Sequence, residues 1–161
     1  MANHKNMTSM KGHNKQYQKL LLMVILSFIA MYILMYAMVN SFANVYPNIN
    51  QFYMAGLMTA AMVIIEVLVM GAMYMNKKLN AMIIALSSVV LIAFFFFIQQ
   101  QTGVSDKHFL KGMIPHHAAA ILMSEQSKTQ DPEIKKLQSE IISSQQAEIK
   151  LMKAKLKVLD K

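Results

Sequence analysis

Apolar residues gather in three long blocks, residues 20–43, 53–75 and 79–98, and the only charge inside any of them is Glu66. A helix needs about 20 residues to cross a hydrocarbon core of about 30 Å, so the pattern predicts three transmembrane helices. No small-x-small cleavage pattern follows the first block and a second span comes soon after, so the first block reads as an anchor rather than a secretory signal. Beyond residue 98 the pattern changes. Residues 99–104 form a polar linker, and residues 105–161 show apolar positions at helical spacing. The first helix of this region runs from Asp106 to about Lys128, with Ser105 or Asp106 as its cap, and Pro115 inside it predicts a kink or a restart. Asp131, Pro132 and Glu133 then have the order of a cap, a first helical residue and an acidic first turn. They start a second helix that reaches about Leu159, with Ile134, Leu137, Ile141, Ile149, Met152, Leu156 and Leu159 on its apolar stripe. The expected fold is all-α: a polar tail (1–19), three transmembrane helices and a soluble helical hairpin. So short a hairpin buries little core, which predicts that it joins a second copy in a four-helix bundle.

Composition agrees with a membrane chain: 55% of residues are apolar and 15% charged. Cysteine is absent, which excludes disulfides and thiolate ligands, whereas methionine occurs 17 times. The net charge is +8 and every basic residue is a lysine. These lysines are spread over both tails and one turn, so they read as topology determinants and a solvated helix face, not as a nucleic-acid footprint. Lys5, Lys11, Lys15 and Lys19 precede the first span, residues 44–52 carry no charge, and Lys77 and Lys78 fill the turn between the second and third spans. The positive-inside rule then puts the N-terminus in the cytoplasm and the hairpin outside it, in a periplasm or its equivalent.

Methionine spacing supplies the first candidate chemistry. Met54, Met58, Met62, Glu66, Met70 and Met73 follow one another at intervals of four or three on the second span, and Met31, Met35 and Met38 make a similar row on the first. Glu66 falls near the middle of its predicted span, where a charge costs at least a few kcal/mol. Two readings follow: a thioether-lined path for a soft cation such as Cu(I), or adaptable packing with Glu66 hydrogen-bonded between helices. In the N-terminal tail, His4, Met7, Met10 and His13 recur every three residues and could wrap a soft ion.

The hairpin has the second set. Met113 precedes His116 and His117 by three and four residues, and Met123 returns to the side of His116. Adjacent histidines are about 100° apart on a helix, so both reach one ion only if Pro115 distorts the backbone. On the second helix, Gln145, Glu148 and Met152 put polar groups into the stripe that faces the first. Imidazole and thioether without thiolate suit Cu(I), with Cu(II) open through imidazole and carboxylate. Histidines that merely pack or face solvent are the alternative.

The run from Asp106 through Phe109, Met113, Ile114, Pro115, His116, His117 and Ile121 to Met123 resembles the D-x2-F-x3-M-I-P-H-H-x3-I-x-M signature of domain-of-unknown-function family 305. The run Ile141, Ile142, Gln145, Glu148, Ile149, Met152 is similar to that family's second-helix pattern. The resemblance covers residues 105–156 and does not extend to the three spans. It implies a ferritin-like helical module, some members of which bind copper through His and Met. It supports Met113, His116, His117 and Met123 as metal residues, together with Gln145, Glu148 and Met152. An aromatic residue often found in the family shortly after that last Met is absent here, where Lys155 and Leu156 stand.

No nucleophile–base pair is visible and the paired Glu-x-x-His motifs of di-iron bundles are missing, so no catalytic role is expected. The leading expectation is a multi-pass inner-membrane protein that sequesters or relays copper outside the cytoplasm, with a copper-transfer protein as partner and no nucleic acid. One alternative is a three-span copper transporter using the Met54–Met73 row and Glu66. Another is a scaffold without metal that assembles through its hairpin.

Overall fold

The computed structural model describes residues 2–160, with side chains from Lys15 onward, and among these there are five α-helices and no strand. They are α1 (Ala2–Leu34), α2 (Ile49–Val69), α3 (Lys77–Gln100), α4 (Asp106–Gln126) and α5 (Pro132–Leu159). Three segments are long and apolar enough to cross a membrane: Lys15–Met38, Ile49–Val69 and Lys77–Gln100. The chain is thus all-helical and membrane-associated, with a helical hairpin after three spans.

Every span boundary differs from the one expected, each for a local reason. The first helix stops at Leu34 and passes through a tighter turn, Met35–Met38, instead of continuing to residue 43. Residues 39–46 leave it to pack elsewhere, and Tyr36 donates its hydroxyl to the Tyr46 carbonyl at 2.8 Å. The second span starts at Ile49, not at residue 53. Asn48 caps it by accepting from the Gln51 backbone N–H at 3.0 Å, and its amide is held by Gln51 Oε1 at 2.7 Å. That helix ends at Val69, and Met73 N–H closes a turn onto the Met70 carbonyl. The third begins where Asn76 accepts from Leu79 N–H and ends at Gln101, which takes a left-handed conformation at φ 50°. The N-terminal tail is the start of α1 rather than a separate segment.

The chain divides into two compact units. In the first, α2 buries Ala55, Gly56, Thr59, Ala60, Val63 and Val67, a face of mostly small residues suited to close helix contact. A Cβ on Gly56 would lie 2.3 Å from the Phe94 ring, so glycine is what lets that ring rest on the α2 backbone. Thr59 satisfies its hydroxyl by donating to the Ala55 carbonyl at 2.7 Å. At the other end Leu20, Val63, Val67 and Tyr74 form a buried cluster.

The second unit contains more than the hairpin: Ile33–Phe52 belongs to it together with α4 and α5. Ile114, Ala118, Ile121, Ile149, Met152 and Leu156 form its core, and Val39, Tyr46, Leu110 and Met113 pack on them. Lys153 Nζ donates to the Ala43 carbonyl at 3.0 Å. The segment between the first two spans therefore packs with the hairpin. At the open end of the hairpin Lys107 pairs with Asp160, and the ammonium hydrogen bond holds that carboxyl below the usual carboxylate range. Asp131 caps α5 by accepting from Glu133 and Ile134 N–H groups. α4 is continuous through Pro115, so the helix does not restart there. Pro115 is buried beside core residues on the same face, and that packing offsets the one backbone donor it lacks.

Candidate metal-binding site

His117 is buried because of its register. Ile114, Ala118 and Ile121 form the inner stripe of α4, and His117 lies on that arc, 7% exposed. Its neighbour His116 is turned about 100° away and is exposed; the two rings are 6.2 Å apart and inclined at 63°. With α4 continuous through Pro115 and the rings turned apart, the two histidines do not converge.

Both nitrogens of His117 have partners. Nδ1 lies 2.9 Å from the Met113 carbonyl, and Nε2 lies 2.5 Å from Glu148 Oε2 on α5. A carbonyl only accepts, so Nδ1 carries a hydrogen and Nε2 is the nitrogen left to face the carboxylate. Glu148 precedes buried Ile149 and enters the seam from its edge, with its side chain about half exposed. The arrangement has two uses: an ion pair that ties α4 to α5, or a fixed imidazole whose Nε2 exchanges a proton for a soft or borderline metal ion. To admit an ion between them the two groups would have to part beyond their present 2.5 Å contact. A half-exposed glutamate has that freedom.

The other expected residues are less unified. Met113 is partly buried against the core and supplies the carbonyl that orients His117. Met152 is buried in that core, and Gln145 is half-buried three residues before Glu148. Met123 is 50% exposed. Among the described residues no three His, Asp or Glu side chains cluster tightly enough to hold an ion by themselves. One imidazole and one carboxylate meet there, with Met113 and Met152 in or against the same core.

The membrane candidates fall differently from the sequence expectation. Met54 and Met58 are 39% and 42% exposed, on a different side of α2 from the small residues that it buries. Met62 packs at the edge of the buried cluster. Met70 and Met73 lie in the turn beyond α2 and do not continue its stripe. Met31 approaches Thr59, whose hydroxyl is 3.6 Å from its sulfur, while Met35 and Met38 fall in the turn that follows α1. Glu66 is in the last turn of α2, not mid-span, because the helix stops three residues later. Its Oε1 accepts from the Tyr74 hydroxyl at 3.2 Å. The side chains of His4, Met7, Met10 and His13 lie outside the described residues.

Sequence reasoning missed the partners of this carboxylate. Tyr17 donates to Asn80 Oδ1 at 2.8 Å, the Asn80 amide donates to the Tyr74 carbonyl at 2.7 Å, and the two tyrosine rings lie 5.4 Å apart, tilted at 39°. Tyrosines and asparagines at the ends of apolar blocks were the available signal, since such residues mark the membrane interface.

Comparison with known proteins adds the relationships. The chain is 39% identical over 106 residues to "Uncharacterized protein L153" of Acanthamoeba polyphaga mimivirus, a stretch covering 65% of this chain and 68% of that one. No solved structure matches it. A family match covers residues 68–156, from the last turn of α2 through α3 and α4 into α5, and so reaches well upstream of the hairpin. With more than half of its length matched, the chain belongs to the family described as Domain of unknown function (DUF305).

Proposed function

We propose that this is a membrane-anchored copper-binding protein that holds or relays Cu(I) through its hairpin, on the extracytoplasmic side of an inner membrane. The observation that carries the reading is His117, an imidazole buried in an apolar seam, with Nδ1 fixed on the Met113 carbonyl and Nε2 aimed at Glu148. Fixing one ring nitrogen on a carbonyl is how metal-binding histidines are commonly oriented. Met113 and the buried Met152 supply soft donors on the same core. His117, Glu148 and Met113 would hold the ion; His116 and Met123, being exposed, would serve capture or transfer. The side assignment rests on Lys77 and Lys78 in the turn opposite the hairpin.

The test is a Cu(I) titration of the full-length protein in detergent against a competing chelator. Wild type is expected to withhold copper from the chelator. His117→Ala should weaken binding at least tenfold, Met113→Leu by less, and His116→Ala least of the three. No copper retention by the wild type would end the proposal.

A further inference from the structure

The open end of the hairpin differs in charge from its turn. Residues 106–115 and 150–160 carry six lysines against two aspartates, whereas residues 116–149 carry three lysines against five acidic residues. Of the two aspartates, Asp160 is paired with Lys107. Asp106 is the one acid there without a lysine partner, and it is outnumbered. Lys150, Lys155 and Lys157 are exposed and, among the described residues, have no ion-pair partner. Apolar side chains stand exposed among them. A groove between α4 and α5 is lined by Asp106, Phe109, Leu110, Lys155, Val158 and Leu159. Phe109, Val158 and Leu159 are 52%, 67% and 48% accessible. Phe42 is 91% accessible, in a turn held to α5 by the bond from Lys153 to the Ala43 carbonyl.

Chain connectivity says what lies next to this end. Phe42 stands four residues beyond Met38, where the first span ends. Asp106 stands four residues beyond Thr102, whose carbonyl accepts from the Tyr53 hydroxyl at 3.0 Å, near the ends of the second and third spans. Four residues reach at most about 14 Å, so both stay close to the headgroup layer. Aromatic and aliphatic side chains ringed by lysines suit that layer: the apolar groups enter the acyl boundary while the ammonium groups meet phosphate. We infer that the open end of the hairpin, with Phe42, sits in the headgroup layer of its own membrane and binds anionic lipid there. Lys155 and Lys157 meet the lipid phosphate, and Phe109, Val158 and Leu159 enter the acyl boundary beside it. A zwitterionic surface offers the apolar groups the same boundary but gives the net positive charge no counterpart, so lipid charge decides the contact. His117 and Glu148 take no part in it.

The chain has no cysteine, so a bimane dye on Val158→Cys reports on that position alone. The full-length protein is placed at one copy per nanodisc, in phosphatidylcholine or in an equal mixture with phosphatidylglycerol, with a metal chelator present. Acrylamide then quenches the dye from the water. In the anionic discs quenching at Val158→Cys is expected to be at least threefold weaker than at Gln130→Cys in the hairpin turn. It should also be weaker than at Val158→Cys in phosphatidylcholine. Adding Lys155→Gln and Lys157→Gln should return it to the phosphatidylcholine level while the circular dichroism stays helical. Equal quenching at the two positions in anionic discs would overturn the membrane seat. Protection of Val158→Cys that is unchanged either by lipid charge or by loss of the two lysines would overturn the recognition of anionic lipid. With one copy per disc a second chain cannot supply the protection. Both leaflets are alike and metal is chelated, so neither failure bears on orientation or on copper binding.

Discussion

Gly56 shows how one residue sets the separation of two membrane helices. The Phe94 ring lies where a Cβ on Gly56 would stand, and Tyr53 and Phe97 pack around the same ring at 5.7 and 6.2 Å. Gly56→Ala forces the ring or the helix to shift, an overpacking cost of about 1–3 kcal/mol. The variant should unfold at a lower temperature in detergent, and adding Phe94→Leu should recover part of the loss. A single variant as stable as wild type would mean the ring moves freely. His117 makes the complementary point about what a sequence tells. That it falls on the inner arc of α4 follows from its spacing to Ile114 and Ile121, and Glu148 could be named as a partner from the facing stripe. The carbonyl that fixes its tautomer could not be read, because a ring bond to the residue four positions earlier depends on a side-chain rotamer. The divergence of His116 was foreseen at 100° per residue, and α4 does not restart at Pro115.

At the scale of elements, the ends of helices depend on caps, and caps explain where the expected boundaries were off. Asp131, Pro132 and Glu133 gave an unambiguous start for α5, and the structure begins it at Pro132. The start of α2 has an equivalent signal in Pro47, Asn48 and Gln51, but it lies inside an uncharged stretch that hydropathy alone reads as loop. Asn48→Ala removes the acceptor for Gln51 N–H and is expected to cost about 1 kcal/mol. The loss should appear as a lower unfolding temperature of the full-length protein. The exposed Ser139→Ala on α5 serves as a control without a cap and should change little. The same boundary effect moved Glu66. Hydropathy ran the second span on to residue 75 and so centred the carboxylate, whereas the turn at residues 70–73 leaves it one turn from the helix end with Tyr74 as donor. A carboxylate one turn from the end of a spanning helix incurs less of the mid-membrane penalty than one at its centre. The Met54–Met58 row likewise kept its predicted spacing, but which face of α2 is buried was decided by the small residues Ala55, Gly56, Thr59 and Ala60.

For the whole molecule, the consequential feature is that Ile33–Phe52 folds with the hairpin. An uncharged loop between two spans gave no hint of this, since Val39 and Tyr46 look like the tail of one apolar block and the approach to the next. Their packing joins residues 39–48 to the hairpin in one unit, and two crossings between them would predict, independently of any charge rule, that both share one side of the membrane with Lys77–Lys78 on the other. The charge rule then says which side is cytoplasmic. Single cysteines test both statements in the otherwise thiol-free chain. With Ser41→Cys and Gln130→Cys, a membrane-impermeant maleimide added to intact bacterial cells with a permeabilised outer membrane should label both. Lys77→Cys should be labelled only after the inner membrane is opened. Labelling of Ser41→Cys and Gln130→Cys from opposite sides would contradict the packing of Tyr46 and Val39 on the hairpin. Labelling of Lys77→Cys alone in intact cells would leave that packing untouched and reverse the orientation, placing His117 and Glu148 in the reducing cytoplasm. Cu(I) binding there would face competition from the thiol pool, and a site without thiolate would be poorly matched to it.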